Sequence, residues 1–386
     1  MQIIRTPYFM TDEEREKNLF CWQILCKENQ ADLSGICFLD IETTGFSRLY
    51  CSIYLIGYTF WEEGGFVTRQ YLAESFSEEG MLLRKVLDDL REFQIVATYN
   101  GDMFDLPFIK ERAARLHIRE KEDSLWFDRM VSLDLMRRYR PYKKFFDWPN
   151  LRLKTVEASL GAPRRDPFDG GQLIEVYEEY VKSGDKRLEK TLLLHNYEDI
   201  VNLLSLLKVE RLMQEIRTGR AVDMKISGYT IQVRWDRPFS LSVQGKVFLG
   251  TKNGPEAVFS FREGETAFSV RLPRPQERLR YYLPHPEDYY FLPERGEIVH
   301  SSLAYDIKAS ERKKAKSEQC FLQAPEGEYI GGISFPEAKL KMYRNAAKET
   351  AVYYNISEFT DWIGQGDQEE LSAYAEKLVR LILQEV

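Results

Sequence analysis

Residues 35–42, Gly-Ile-Cys-Phe-Leu-Asp-Ile-Glu, constrain this 386-residue chain more than any other stretch, because an apolar run closes on two carboxylates. In an extended strand, residues i and i+2 share a face. Asp40 and Glu42 therefore point the same way while Leu39 and Ile41 enter a core. Two carboxylates converging at a strand end make a hard-oxygen site of the kind that Mg²⁺ or Mn²⁺ prefers. A solvated acidic face on an edge strand is the plain alternative. The apolar lead-in and the Thr43-Thr44-Gly45 exit weigh against it.

The neighbouring segments predict a sheet around this strand. Runs 50–60 and 66–73 are strand-like, and the Glu-Glu-Gly-Gly turn at 62–65 suits a hairpin between them. Met81, Leu82, Val86, Leu87, Leu90 and Phe93 then recur at helical spacing before a short strand at 94–99. An antiparallel meander, a crossover helix and a parallel fourth strand follow from that order. A long helical run, 188–216, closes this half. Beyond residue 220 the texture changes to short β-rich runs at 229–235, 256–261 and 266–272, separated by Asn253-Gly254-Pro255 and Glu263-Gly264, and helical periodicity returns at 368–384. The expected organisation is a helical extension at 1–30, an α/β domain at 31–218 with a mixed central sheet and flanking helices, and a β-rich accessory domain at 219–386 ending in a helix.

Composition excludes some classes of protein. Acidic residues number 61 against 54 basic, a formal net charge of -7, so a uniformly basic nucleic-acid coat is ruled out although a local basic strip is not. No run approaches the roughly 18 apolar residues of a membrane span, and the amino terminus turns acidic where a signal peptide needs an apolar core. The expected compartment is the cytoplasm, with no membrane partner. Five cysteines, at 21, 26, 37, 51 and 320, lack close Cys-x-x-Cys pairs and are expected as reduced thiols.

Two further motifs carry candidate chemistry. Tyr99-Asn100-Gly101-Asp102-Met103-Phe104-Asp105 follows the fourth strand and opens a helix. Asp105 falls in its first turn, where the helix dipole favours a carboxylate. Asp102 is the rival ligand, and Asn-Gly-Asp is also an ordinary turn. In His195-Asn196-Tyr197-Glu198-Asp199, the four-residue spacing puts His195 and Asp199 on one helix face. A histidine one turn before a metal-binding carboxylate stands beside the water it must deprotonate. Helix-surface electrostatics is the simpler reading of such a pair.

The order and flanks of the three motifs resemble the DEDD 3′-5′ exonuclease superfamily, which has a ribonuclease H-like fold. The likeness is strongest to the bacterial YprB-like proteins, and YNGDMFDLPFI also resembles the proofreading domain of B-family DNA polymerases. It spans about 30–216. The resemblance implies Asp40, Glu42, Asp105 and Asp199 as ligands of two divalent ions, Mg²⁺ or Mn²⁺. It also implies Asn100 as the residue orienting the second motif and His195 in the general-base place. One departure stands out: the spacing from His195 to Asp199 is that of the branch carrying a tyrosine, and Tyr197 does not fill the tyrosine slot.

A nuclease with net negative charge needs a local attractive surface. Residues 137–154 carry Arg137, Arg138, Arg140, Lys143, Lys144, Arg152 and Lys154 against Asp147, interleaved with Tyr139, Tyr142, Phe145, Phe146 and Trp148. Cations hold phosphates and rings stack on unpaired bases, so this stretch suits single-stranded nucleic acid; equally, its rings could simply close the core. Arg138, Arg140, Lys143 and Lys144, with Thr43 and Asn100, are the candidate nucleic-acid contacts. Arg164 and Arg165 fit a phosphate contact or a surface salt bridge. The expected function is metal-dependent 3′-5′ exonucleolytic hydrolysis of DNA or RNA that is single-stranded or has a 3′ end, with a protein partner possible at the accessory domain. A structure-specific endonuclease and a non-catalytic nucleic-acid-binding scaffold are the alternatives.

Overall fold

Continuous apolar runs mark strands covered on both faces, and alternating runs mark strands covered on one. The computed structural model sorts the two kinds into different halves of the chain. It describes residues 1–8, 11–118, 129–250 and 254–384, so Asn253 of the expected turn lies outside the described residues. Contacts divide the chain into two units, Met1–Lys143 with Trp148–Gln214, and Lys144–Asp147 with Glu215–Val386.

The first unit holds a six-stranded mixed sheet in the order β1-β4-β3-β2-β5-β6. Its strands are β1 (Gln2–Pro7), β2 (Ile36–Thr43), β3 (Ile53–Glu62), β4 (Gly65–Leu72), β5 (Ile95–Thr98) and β6 (Val131–Asp134). β1 to β4 pair antiparallel with their neighbours, and β2, β5 and β6 run parallel. Residues 1–30 are thus not simply a helical extension. Gln2–Pro7 is an edge strand whose half-exposed, charged face resembles a loop in sequence, and it precedes helix α1 (Asp12–Glu28).

Among the described residues, the further helices up to the boundary of this unit are α2 (Glu79–Leu90), α3 (Asp105–Arg115), α4 (Leu135–Tyr139), α5 (Leu153–Ser159), α6 (Gly170–Ser183), α7 (Lys186–Val201), α8 (Leu203–Leu206) and α9 (Lys208–Thr218), the last of which runs past Gln214. The single helix expected over 188–216 is therefore three. Asn202 ends α7, its side chain donating to the Pro163 carbonyl. Two devices set the helices against the sheet. Glu79 of α2 takes both arms of Arg112 of α3, at 2.8 and 2.6 Å, and also accepts the backbone N–H of Ile53 at the start of β3. On the other face, Gly57 of β3 lies opposite Asp40 and leaves room for α7; a Cβ there would stand 2.2 Å from Oδ1 of Asn196 and 2.4 Å from Cδ1 of Ile200.

The second unit contains a five-stranded antiparallel sheet, β7-β8-β11-β10-β9, over Ala221–Ser227, Thr230–Trp235, Ala267–Arg271, Glu256–Phe261 and Val243–Phe248. Alternation along β8 and β9 buries Ile231, Val233, Val243 and Val247. Residues 144–147 belong to this unit because Phe145 is buried against Phe259 and Phe261, with centroids 5.2 and 6.2 Å away. Helix α10 (Ile356–Gln365) precedes the terminal helix α11 (Gln368–Gln384). Among the described residues no helix is long and apolar enough to cross a membrane, and all five cysteines are free thiols.

Two glycine substitutions should act in opposite directions. Gly57→Ala forces α7 away from the sheet and is expected to cost about 1–3 kcal/mol. Gly80→Ala adds a Cβ that meets nothing within 4 Å, inside α2, and is expected to stabilise by about 0.5–1 kcal/mol. Urea unfolding of both variants checks the pair, and a neutral Gly57→Ala would mean that α7 does not approach β3 this closely.

Candidate active site

The end of β2 brings Asp40 and Glu42 to the edge of the parallel half of the sheet. There a register shift at Glu42/Thr43 interrupts the pairing with β3. Because β5 runs parallel to β2, the loop leaving β5 opens at the same edge and delivers Asp105 as the first residue of α3. Ligand sites form beyond the carboxyl ends of parallel strands for this reason. Helix α7 crosses the same region and adds His195 and Asp199 one turn apart.

Each of these side chains is held by a second group. Asp105 is buried and its Oδ1 accepts the Ile41 N–H at 3.2 Å. Asp40 accepts the Asn196 amide at 2.9 Å, and Asn196, fully buried, in turn accepts from Gln70 of β4 at 2.9 Å. His195 is buried with Nδ1 against Asp166 Oδ2 at 2.6 Å, while Nε2 faces Glu42 Oε1 at 3.4 Å and Asp199 Oδ2 at 3.5 Å. Arg164 pairs with Oδ1 of Asp199 and, at 2.9 Å, with Glu157. Glu198 faces away from this cluster and accepts the backbone N–H groups of Arg165 and Asp166, which fixes the loop that presents Arg164 and Asp166.

Like charges gathered in a poorly solvated place resist ionisation. Burial, followed by repulsion from Glu42, Asp199 and Asp105, raises the pKa of Asp40 well above the usual carboxylate range, although the Asn196 amide opposes this. Burial and then Asp199, Asp105 and Asp166 raise Glu42, with Arg164 opposing. Asp105 is pushed up to about 7, mainly by burial. Asp166 behaves in the opposite way: burial raises it, but His195, the Phe168 N–H and Lys154 together hold it below the ordinary value. Oxygen donors from Glu42 and Asp199 and the His195 nitrogen lie within 4.8 Å of one another, a grouping able to hold a metal ion.

A family model described as RNase H superfamily matches residues 37–210, which include every residue of this cluster. Over that stretch the mixed sheet and its flanking helices are the ribonuclease H-like fold expected from the sequence. The uncharacterized protein YprB of Bacillus subtilis is 29% identical to this chain over 176 residues, 45% of this chain and 41% of YprB. The DNA polymerase of Methanocaldococcus jannaschii is 36% identical over 61 residues, 14% of this chain and 4% of the polymerase. The chain thus spans less than half the length of these curated relatives. Among solved structures, the family B DNA polymerase of Pyrobaculum calidifontis is similar with a TM-score of 0.38 at 19% identity, over 47% of this chain and 25% of that one. The zinc-bound E. coli exonuclease I–single-stranded DNA complex is similar with a TM-score of 0.28 at 12% identity, over 91% of this chain and 72% of that one.

Within the matched residues the two candidates of the second motif separate. Asp105 reaches the cluster, whereas Asp102 accepts from Ser132 at 2.5 Å and stands 3.5 Å from Arg137. Asn100 adopts a left-handed turn (φ +66°), and its N–H, with that of Asp102, is held by the Asp134 carboxylate. Thr43 donates to the Gly45 carbonyl at 2.8 Å.

The basic strip is only partly as expected. Arg138 is not a free cation: it pairs with Glu210 at 2.5 and 2.9 Å and with Glu28, because α4 packs beside acidic positions of α9 and α1. Tyr139, Phe145 and Trp148 are buried, so these rings close cores. Arg140 is exposed, Lys143 is half-buried, and Lys144 is exposed with its ammonium over the Phe248 ring. Arg164 is not a surface residue either; its side chain is 12% exposed and its partners are site carboxylates.

The raised carboxylates make stability depend on pH. The unfolded chain releases these protons near pH 4, and the folded domain retains them to about 7 on Asp105, so this contribution to stability falls as pH rises from about 4 to 7. Asp105→Asn removes the penalty. Its stability relative to wild type, measured by urea unfolding in chelator, should rise steadily across that window. A constant difference would contradict the raised proton affinity.

Proposed function

We propose that the RNase H domain is a divalent-metal-dependent nuclease, a 3′-5′ exonuclease acting on single-stranded nucleic acid or on 3′ ends. The observation that carries this reading is the convergence of Asp40, Glu42, Asp105 and Asp199 from three separate elements onto one sheet edge, where burial and then neighbouring carboxylates raise the proton affinities of Asp40, Glu42 and Asp105. Such a cluster is short of positive charge, and its hard oxygen donors fit Mg²⁺ or Mn²⁺. When bound, two such ions supply Lewis acidity toward the scissile phosphate and the attacking water.

The chain's own groups do the positioning. The four carboxylates are the ligands, and Asn196 and the Ile41 N–H fix the orientation of Asp40 and Asp105. Phe46 and Tyr50, 87% and 85% exposed, lie on the loop leaving Glu42, and Met103, 75% exposed, lies just before Asp105. These apolar groups suit the faces of unstacked bases. Asn100 and Thr43 shape the two loops, and Arg140, Lys143 and Lys144 are the phosphate contacts left on the basic strip.

End-labelled single- and double-stranded DNA and RNA, incubated with the full chain in Mn²⁺, Mg²⁺ or chelator, test the reading. Stepwise metal-dependent shortening from the 3′ end is expected, and Asp40→Ala or Asp199→Ala should reduce it by roughly 10³-fold or more in a folded protein. Internal cuts would make the protein an endonuclease, and binding without cleavage a scaffold. A folded Asp40→Ala chain with full activity would remove the assignment.

A further inference from the structure

We propose that His195 is itself a metal ligand through Nε2, together with Glu42 and Asp199, and that Asp166 is the residue that positions it. The inference rests on reading the carboxylate cluster as a metal centre, and it departs from the general-base place that the sequence resemblance gives His195.

Three independent features of the geometry lead to it. The first is spacing between donors. Two donors each about 2.1 Å from one ion stand about 3.0 Å apart at the octahedral angle of Mn²⁺ and about 3.4 Å apart at a tetrahedral angle. His195 Nε2 stands 3.4 Å from Glu42 Oε1 and 3.5 Å from Asp199 Oδ2.

The second feature is the direction of the ring. His195 is 3% exposed and its Nδ1 is taken by Asp166 at 2.6 Å. Asp166 accepts from Lys154 and Arg164, each at 3.3 Å, and from the Phe168 N–H at 3.1 Å, so it meets the ring as an acceptor and Nδ1 is the donor. The Nε2 lone pair is then directed between the two carboxylates. A histidine whose far nitrogen donates to a carboxylate is the usual arrangement around a ligating imidazole, because that bond fixes the tautomer and strengthens the donor.

The third feature is that Asp199 is oriented in the same way. Arg164 takes Oδ1, which leaves Oδ2 on the His195 side. One short loop, held to α7 by Glu198 and Asn202, therefore supplies the outer partners of both α7 donors. The four-residue interval from His195 to Asp199 keeps both donors on one helix face, as chelation of one ion requires.

A nitrogen donor among carboxylates raises affinity for Mn²⁺, Co²⁺ and Zn²⁺ and adds little for Mg²⁺. The test uses Mn²⁺ alone on the full chain, read by electron spin-echo modulation and by direct binding. Wild type should show ¹⁴N modulation from a coordinated imidazole, and His195→Gln should abolish it. Asp166→Asn should weaken Mn²⁺ binding by about 10–100-fold while Mg²⁺ affinity changes far less. A wild-type Mn²⁺ spectrum without nitrogen modulation, or modulation that persists in His195→Gln, would overturn the assignment; unchanged Mn²⁺ affinity in Asp166→Asn would overturn the role of Asp166. Cleavage assays on the same samples keep the two readings apart. Nitrogen coordination without cleavage leaves His195 a ligand and refutes the nuclease, and cleavage without nitrogen coordination does the reverse.

Discussion

Gathering Asp40, Glu42, Asp105 and Asp199 at one place opposes folding, since burial and then the charge of neighbouring carboxylates raise the proton affinities of Asp40, Glu42 and Asp105. The surrounding structure is arranged to hold them there. Asn196 and Gln70 bind Asp40 through a buried amide chain, the Ile41 N–H binds Asp105, and Arg164 binds Asp199. Gly57 is part of the same solution, because only a residue without a Cβ lets α7 come close enough for Asn196 to reach β2. The surrounding contacts thus keep mutually repelling groups together.

Fixing the outer partners limits how the donors can move. The Glu79–Arg112 pair ties α2, α3 and the start of β3 together, and α3 carries Asp105 at its first residue. The loop before α6 is fastened by Glu198 and Asn202 and carries Arg164 and Asp166. Both devices act through groups that touch the cluster indirectly, so the site's geometry depends on ion pairs and amides spread over β2, β3, β4, α2, α3 and α7.

Much of this was legible in the sequence, for reasons of periodicity. Strand alternation put Asp40 and Glu42 on one face, the crossover helix made β5 parallel, and a helix start put Asp105 in range. What escaped was set by contacts distant in sequence. Asp166 lies in a loop 29 residues before His195. Asn196 lies beside His195 in sequence and its partners Asp40 and Gln70 are 156 and 126 residues away, although five polar or aromatic residues in a row on a helix cannot all face water. Arg138 looked like a phosphate contact because sequence cannot show Glu28 and Glu210 meeting it from 110 and 72 residues away. The edge strand Gln2–Pro7 was hidden by its short, half-exposed pattern.

The central claim is that this cluster holds protons in place of cations, and calorimetric titration of Mn²⁺ into the full chain near pH 6, repeated in buffers of different ionisation enthalpy, measures it most directly. The account predicts saturable binding accompanied by release of roughly one proton or more per chain, because Asp40, Glu42 and Asp105 must ionise to bind. Binding with no proton release, or no binding at all, would contradict it.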